Sequence, residues 1–202
     1  MNPNSASMRV TVRPAVPADV PAILDFITQL AVFEKCPEKV LATEDTLRKT
    51  LGLESEQSPS ETDISSTALR AGQFAKCVIA QVDNQDAGFA VFFYNYSTVL
   101  FSSPFRRDNA LITMQWLSAP GIYLEDLFVA PSHRSRGVGS ALLSYLGRHA
   151  KAIGAGRIDW AVLKWNVGAR KFYRETCGGE ELDEWLGVRV EGEQAIEKLI
   201  AL

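Results

Sequence analysis

The stretch from Gly121 to Gly139, GIYLEDLFVAPSHRSRGVG, limits what this chain can be more than any other. It reads as a buried strand from Ile122 to Val129, a short loop ended by Pro131, and a glycine-bearing turn opening a helix through SALLSYLGRHAKAIG. The first four amides of a helix lack intrahelical acceptors and the peptide dipole is positive there, so such a turn is an anion site. Arg134, Gly137 and Gly139 follow the spacing R-x-x-G-x-G. The glycines let backbone approach phosphate oxygens where a Cβ would obstruct, and Arg134 and Arg136 add charge-assisted bonds. The expected guest is phosphate. Gly and Arg are also common at ordinary strand-to-helix turns, so the spacing acquires meaning only from its context.

The 202 residues, 47% hydrophobic and 22% charged, suit one globular domain over 1–202 with a real core. A formal net charge of -3 argues against nucleic acid and mildly favours a cationic or neutral substrate. Cys36, Cys77 and Cys177 are odd in number, far apart and form no C-x-x-C, so neither a disulfide framework nor a zinc site is implied. With only His133 and His149 available, no metal is expected and a histidine triad has little material. No apolar run approaches the roughly 18 to 20 residues of a membrane span, and Met1 to Met8 lacks a signal-peptide apolar region. A cytoplasmic protein without a membrane partner is the expectation.

In chain order, residues 1–8 are expected to fray and Arg9 to Arg13 alternates as a half-buried strand stopped by Pro14. Asp19, or a residue just before it, is placed to cap a helix from Val20 to Glu34, where Ile23, Phe26, Ile27, Leu30 and Phe33 form one apolar face. A second helix is expected from Thr43 to Gly52. Residues 53–67, rich in Ser, Glu, Pro and Thr, read as a loop insertion. Strands Phe74 to Val82 and Ala87 to Tyr96 form a hairpin about the turn D-N-Q-D, and the second is apolar enough to be covered on both faces. Residues 97–120 read as a long loop with a helical turn near Ala110 to Trp116. After the helix Gly139 to Ile153 come a strand Arg157 to Leu163, a helix Val167 to Cys177, a strand Trp185 to Val190, and a terminal helix or strand from Glu193.

This order, with the R-x-x-G-x-G turn, resembles the GNAT-family N-acetyltransferases. The closer likeness is to the spermidine/spermine and thialysine acetyltransferase branch. It is carried by V-R-P-A at 12–15, G-F-A at 88–90 leading into F-F-Y-N-Y-S-T, G-I-Y-L-E-D-L-F-V at 121–129, W-N at 165–166, F-Y at 172–173 and D-E-W at 183–185. The resemblance implies an α/β fold with a mixed sheet splayed between two central parallel strands and helices on both faces. Acetyl-CoA would enter that splay as a surrogate strand, because unpaired N–H and C=O groups there can bond its pantetheine amides.

By the same resemblance Leu127, Phe128 and Val129 supply that edge, Arg134, Ser135, Arg136, Gly137, Val138, Gly139 and Ser140 surround the diphosphate, and Asn166 and Ala169 contact the pantetheine arm. Tyr173 is the implied general acid to the leaving sulfur, Glu125 the residue that holds and deprotonates the amine, and the Val129 N–H the donor to the thioester oxygen. Phe33, Glu34, Glu125, Asp126, Asp183 and Trp185 would line the groove for a small-molecule amine. Plainer roles coexist: Tyr173 suits an amphipathic core edge, Asn166 suits a helix cap, and Glu34 and Asp183 suit a solvated surface. Glu125 and Asp126, adjacent in an apolar strand, are expected on opposite faces, one of them at a cost. Lys164 stands where the branch is commonly acidic, which tilts the substrate toward a short diamine or a lysine-like amino acid rather than a long polycation. The implied protein is a homodimeric acetyl-CoA-dependent N-acetyltransferase acting on a primary amine of a small diamine, polyamine or lysine-like amino acid. The alternatives are a peptide or protein acetyltransferase and a catalytically silent acetyl-CoA-binding module.

Overall fold

The computed structural model describes residues 9–54, 72–97, 100–102, 113–115 and 119–202. The expected fraying at 1–8 and most of the insertion at 53–67 lie outside them. Contacts divide the chain into two compact units, Met1–Ala161 and Val162–Leu202.

The first unit runs β1 (Val10–Pro14), α1 (Val20–Phe33), α2 (Glu44–Thr50), β2 (Lys76–Val82), β3 (Gln85–Ser97), β4 (Leu100–Ser102), β5 (Thr113–Gln115), β6 (Ala119–Val129), α3 (Val138–Ala152) and β7 (Ile158–Trp160). Among the described residues its main sheet has five strands in the order β1-β2-β3-β6-β7. All neighbours are antiparallel except β6 and β7, which run parallel. Asp83 and Asn84, between β2 and β3, have φ of 50° and 65°. Two consecutive left-handed residues make the type I′ turn whose twist matches the flanking strands.

Each face of the sheet has its own core. On one, Ile23 and Phe26 of α1 and Leu47 of α2 pack with Ile79, Phe89 and Phe128. The Phe26 ring lies 5.7 Å from Phe89 and 6.0 Å from Phe128. On the other, Val138, Leu142 and Leu146 of α3 cover Ile122 and Leu124. The helix spacings in the sequence point to these apolar faces, and burial of each such side chain stabilises by about 1.5 to 3 kcal/mol.

Asp19 does not cap α1. It occupies the N-cap position with no side-chain bond to the helix. Its carboxylate instead accepts from Arg13 Nη1 and Nη2 at 2.6 and 2.8 Å and from the Val16 amide at 2.7 Å. A paired guanidinium outcompetes a helix amide because both partners are charged and the fork is bidentate. The pair ties β1 to the start of α1, and Asp19 is 6% exposed. Asp19→Ala is therefore expected to lower unfolding stability by about 2 kcal/mol, because it strands a half-buried guanidinium and an amide; urea denaturation measures it.

Two further expectations are corrected. In place of the helical turn near 110–116, residues 113–115 form β5 and pair with β4. The strand expected over Trp185 to Val190 is not one, and Leu186 and Val188 are 89% and 92% exposed. Period-two alternation yields a strand only where a neighbour takes its backbone bonds. The second unit holds α4 (Val167–Thr176) and α5 (Glu193–Ile200), so the terminal segment is helical.

Candidate active site

The parallel pairing of β6 with β7 covers only Ile122 to Leu124 against Ile158 to Trp160. Beyond Leu124 the outer edge of β6 has no neighbouring strand among the described residues. The opposite edge continues along β3, with Leu127 across from Ala90, Phe128 from Phe89 and Val129 from Gly88. One residue further, the Ala130 amide donates to Ala87 O at 2.9 Å. Antiparallel pairs alternate between bonded and non-bonded, so Phe128 exchanges its bonds with Phe89, whereas Leu127 and Val129 turn their N–H and C=O groups outward. The Val129 carbonyl bears this out by accepting from Arg134 Nε at 3.1 Å. The exposed edge is thus two peptide groups, Leu127 and Val129. Phe128 commits its backbone to β3 and its side chain to the core against α1.

A bulge changes the facing within the same strand. Val91 pairs with Asp126 and Phe92 with Leu124, so Glu125 has no partner across the ladder. An extra residue on one strand shifts the alternation by one. Ile122 and Leu124 face α3, and after the bulge Leu127 and Val129 do so, while Phe128 faces α1. Glu125 is exposed and Asp126 half-buried. Burial pushes the Asp126 carboxyl from 3.8 up to about 6, with further contributions from Glu125 and then Glu34. Three carboxylates from β6 and the end of α1 therefore share one field. Glu34 owes its place to the way α1 closes: Lys35 is left-handed at φ 64°, and Cys36 N donates to Ala31 O at 2.9 Å.

The turn after β6 keeps residues 134–137 exposed. Ser135 and Gly137 are left-handed, at φ 59° and 78°. A Cβ at Gly137 would meet no protein atom within 4 Å, so within the protein it is the left-handed backbone angle that favours glycine there. No side chain caps α3 and its first turn carries no acidic residue. The first bond from helix amide to turn carbonyl is Ala141 N to Gly137 O at 2.9 Å. Alternating left-handed residues before an uncapped helix start form a concave set of amides suited to a diphosphate.

The second unit, described by itself, carries Asn166, Ala169, Tyr173, Asp183 and Trp185. The Asn166 side chain accepts from the Ala169 amide at 3.2 Å, so Asn166 caps α4 and the Ala169 amide is already engaged. Tyr173 is half-buried beside Phe172, ring centroids 5.6 Å apart. Burial, and then Cys177, raises its phenol above the ordinary value of 10.0. Asp183 and Trp185 are exposed. Arg170, which no sequence motif singles out, forms a bidentate pair with Glu181 at 2.7 and 2.6 Å and donates to Lys164 O at 2.9 Å. It braces the residues around Trp165 and Asn166. Its partner lies eleven positions away, so no local pattern announces it.

Residues 41–178 match the Acetyltransferase (GNAT) family. The chain belongs to this family. L-ornithine N5-acetyltransferase of Arabidopsis thaliana is 32% identical, covering 98% of this chain and 92% of that protein. Thialysine N-epsilon-acetyltransferase of Bos taurus is 26% identical, over 91% of this chain and 94% of its own length. Among solved structures, an integron cassette protein from the mobile metagenome of V. cholerae superimposes with a TM-score of 0.61 at 23% identity, covering 96% of this chain and 99% of that one. As a GNAT member the protein is an N-acetyltransferase of a family that uses acetyl-CoA. The exposed edge at Leu127 and Val129 and the amide-lined turn fit that group. No described helix is long and apolar enough to cross a membrane.

Proposed function

We propose that this GNAT enzyme acetylates the primary amine of a small diamine or of a lysine- or ornithine-like amino acid, by direct attack in a ternary complex. The carrying observation is the juxtaposition on β6 of an open peptide edge, Leu127 and Val129, with the acidic residues Glu125 and Asp126 that share a field with Glu34. The ornithine and thialysine activities named for two relatives support the amine class.

Acetyl-CoA supplies an acetyl thioester whose carbonyl carbon accepts the amine nitrogen and whose sulfur leaves. Leu127 and Val129 hold the pantetheine arm as an added strand would be held, together with the Asn166 side-chain amide, whose oxygen is already engaged in the cap. The amides of Ser135 to Ser140 and the Arg136 guanidinium hold the diphosphate. The outward Val129 N–H stabilises the oxygen that becomes negative on attack. Glu125, aided by Glu34 and Asp126, holds the ammonium and takes its proton, directly or through water, and Asp183 and Trp185 keep the amine-binding roles that the resemblance gives them. Tyr173, kept neutral by burial, gives its proton to the departing sulfur. Lys164 disfavours a long polycation. We further propose a cytoplasmic homodimer.

A free-thiol release assay tests this reading on ornithine, thialysine, lysine, putrescine, spermidine and a set of peptides. Turnover is expected on the amino acids or the diamine and to be weaker on spermidine. Turnover confined to peptides would reverse the assignment.

A further inference from the structure

Arg134 belongs by spacing to the phosphate turn, yet its contacts point elsewhere. Its Nε donates to the outward Val129 carbonyl at 3.1 Å. Its guanidinium carbon lies 5.2 Å from the ring centroid of Phe33 and 5.9 Å from that of Phe128. Phe33 is the last residue of α1 and precedes Glu34. One side chain therefore bridges the end of the strand that offers the cofactor edge and the end of the helix that brings Glu34 to the acidic group. We propose that Arg134 is a positioning residue, clamping the β6 end to the α1 end so that the Val129 peptide and the amine-facing residues keep a fixed separation. The diphosphate is then held chiefly by the turn amides and Arg136. This rests on the acetyl-CoA reading above.

The two roles make opposite demands on the side chain. A phosphate ligand needs a positive charge, which lysine retains. A clamp needs an in-plane Nε donor and a flat cation to lie on an aromatic ring, and lysine has neither. Arg134→Lys thus separates them, and Arg134→Met removes both.

Coenzyme A affinity is measured by calorimetry, and KM and kcat for the amine by steady-state assay, on the wild type and on Arg134→Lys, Arg134→Met and Arg136→Met. If Arg134 clamps, both Arg134 variants raise the amine KM by about three- to tenfold, lysine no better than methionine, while coenzyme A affinity moves by less than about threefold. Arg136→Met shows the reverse pattern. A tenfold or larger loss of coenzyme A affinity in Arg134→Met would overturn the clamp, as would a wild-type amine KM in Arg134→Lys. Failure of the wild type to bind coenzyme A would instead remove the acetyltransfer reading itself.

Discussion

Tyr173→Phe is expected to lower kcat by about 100-fold or more, with coenzyme A affinity within about twofold of wild type. The substitution removes one oxygen and keeps the ring that packs beside Phe172. The phenol carries its proton at neutral pH, because burial, and secondarily Cys177, holds its ionisation above the ordinary 10.0. It therefore remains protonated at every pH at which a thiolate leaving group needs an acid. Without it the thiolate must depart unprotonated or draw its proton from water. Single-turnover kinetics beside calorimetry gives both numbers. An unchanged kcat would take the acid role away from Tyr173, and with it the main distinction between this enzyme and a silent acetyl-CoA-binding module.

Asp126→Asn should make the protein more stable and less active. In the folded protein the carboxyl titrates at about 6, against 3.8 ordinarily, chiefly because burial penalises its charge. Between those values the folded state holds a proton that the unfolded chain has released, so stability falls as pH rises through this window. The cost is absent at about pH 3 and complete above about pH 7, where it reaches about 2 to 3 kcal/mol. Asparagine removes it, so the variant should gain stability near neutral pH and lose that advantage on acidification. In catalysis the sign reverses. The charged form is the one that attracts an ammonium, so wild-type kcat/KM for the amine should rise as pH passes about 6. Asp126→Asn should flatten that limb and lower kcat/KM by about tenfold at neutral pH. Identical pH profiles for the two proteins would exclude Asp126 from the amine site. Stability sacrificed at a carboxylate that function needs is a recurrent feature of active sites.

Much of this was legible along the chain. The 3.6-residue spacing of Ile23, Phe26, Ile27 and Leu30, the Thr43 cap of α2, the D-N turn after β2 and the glycine turn before α3 each act within a few residues. Their physics is that of backbone angles, helix ends and one apolar face, and a reader of residues has all of it in view. For the same reason the R-x-x-G-x-G spacing located the turn before α3, where Ser135 and Gly137 are left-handed.

Other features depend on partners distant in sequence. Whether Leu127 or Phe128 offers its amide to the edge follows from register against β3, some forty residues earlier, and a slip of one residue inverts the answer. The bulge at Glu125 has no signature in LEDL, yet it is what leaves Glu125 exposed and Asp126 half-buried. The alternation of Leu186, Val188 and Val190 looks like a strand, but alternation records only which side chains would share a face and says nothing of a neighbour to bond. Asp19 sits where a cap belongs and serves Arg13 instead, because a charged bidentate partner six residues away binds it more strongly than a helix amide does. Arg134 likewise carries a phosphate-binder's position and a clamp's contacts, since Phe33 lies about a hundred residues away in the chain and 5.2 Å away in space. Local periodicity and turn chemistry are written into neighbouring residues, whereas register, bulges and the choice among competing hydrogen-bond partners are settled when distant segments meet and every buried polar group must find an acceptor or donor.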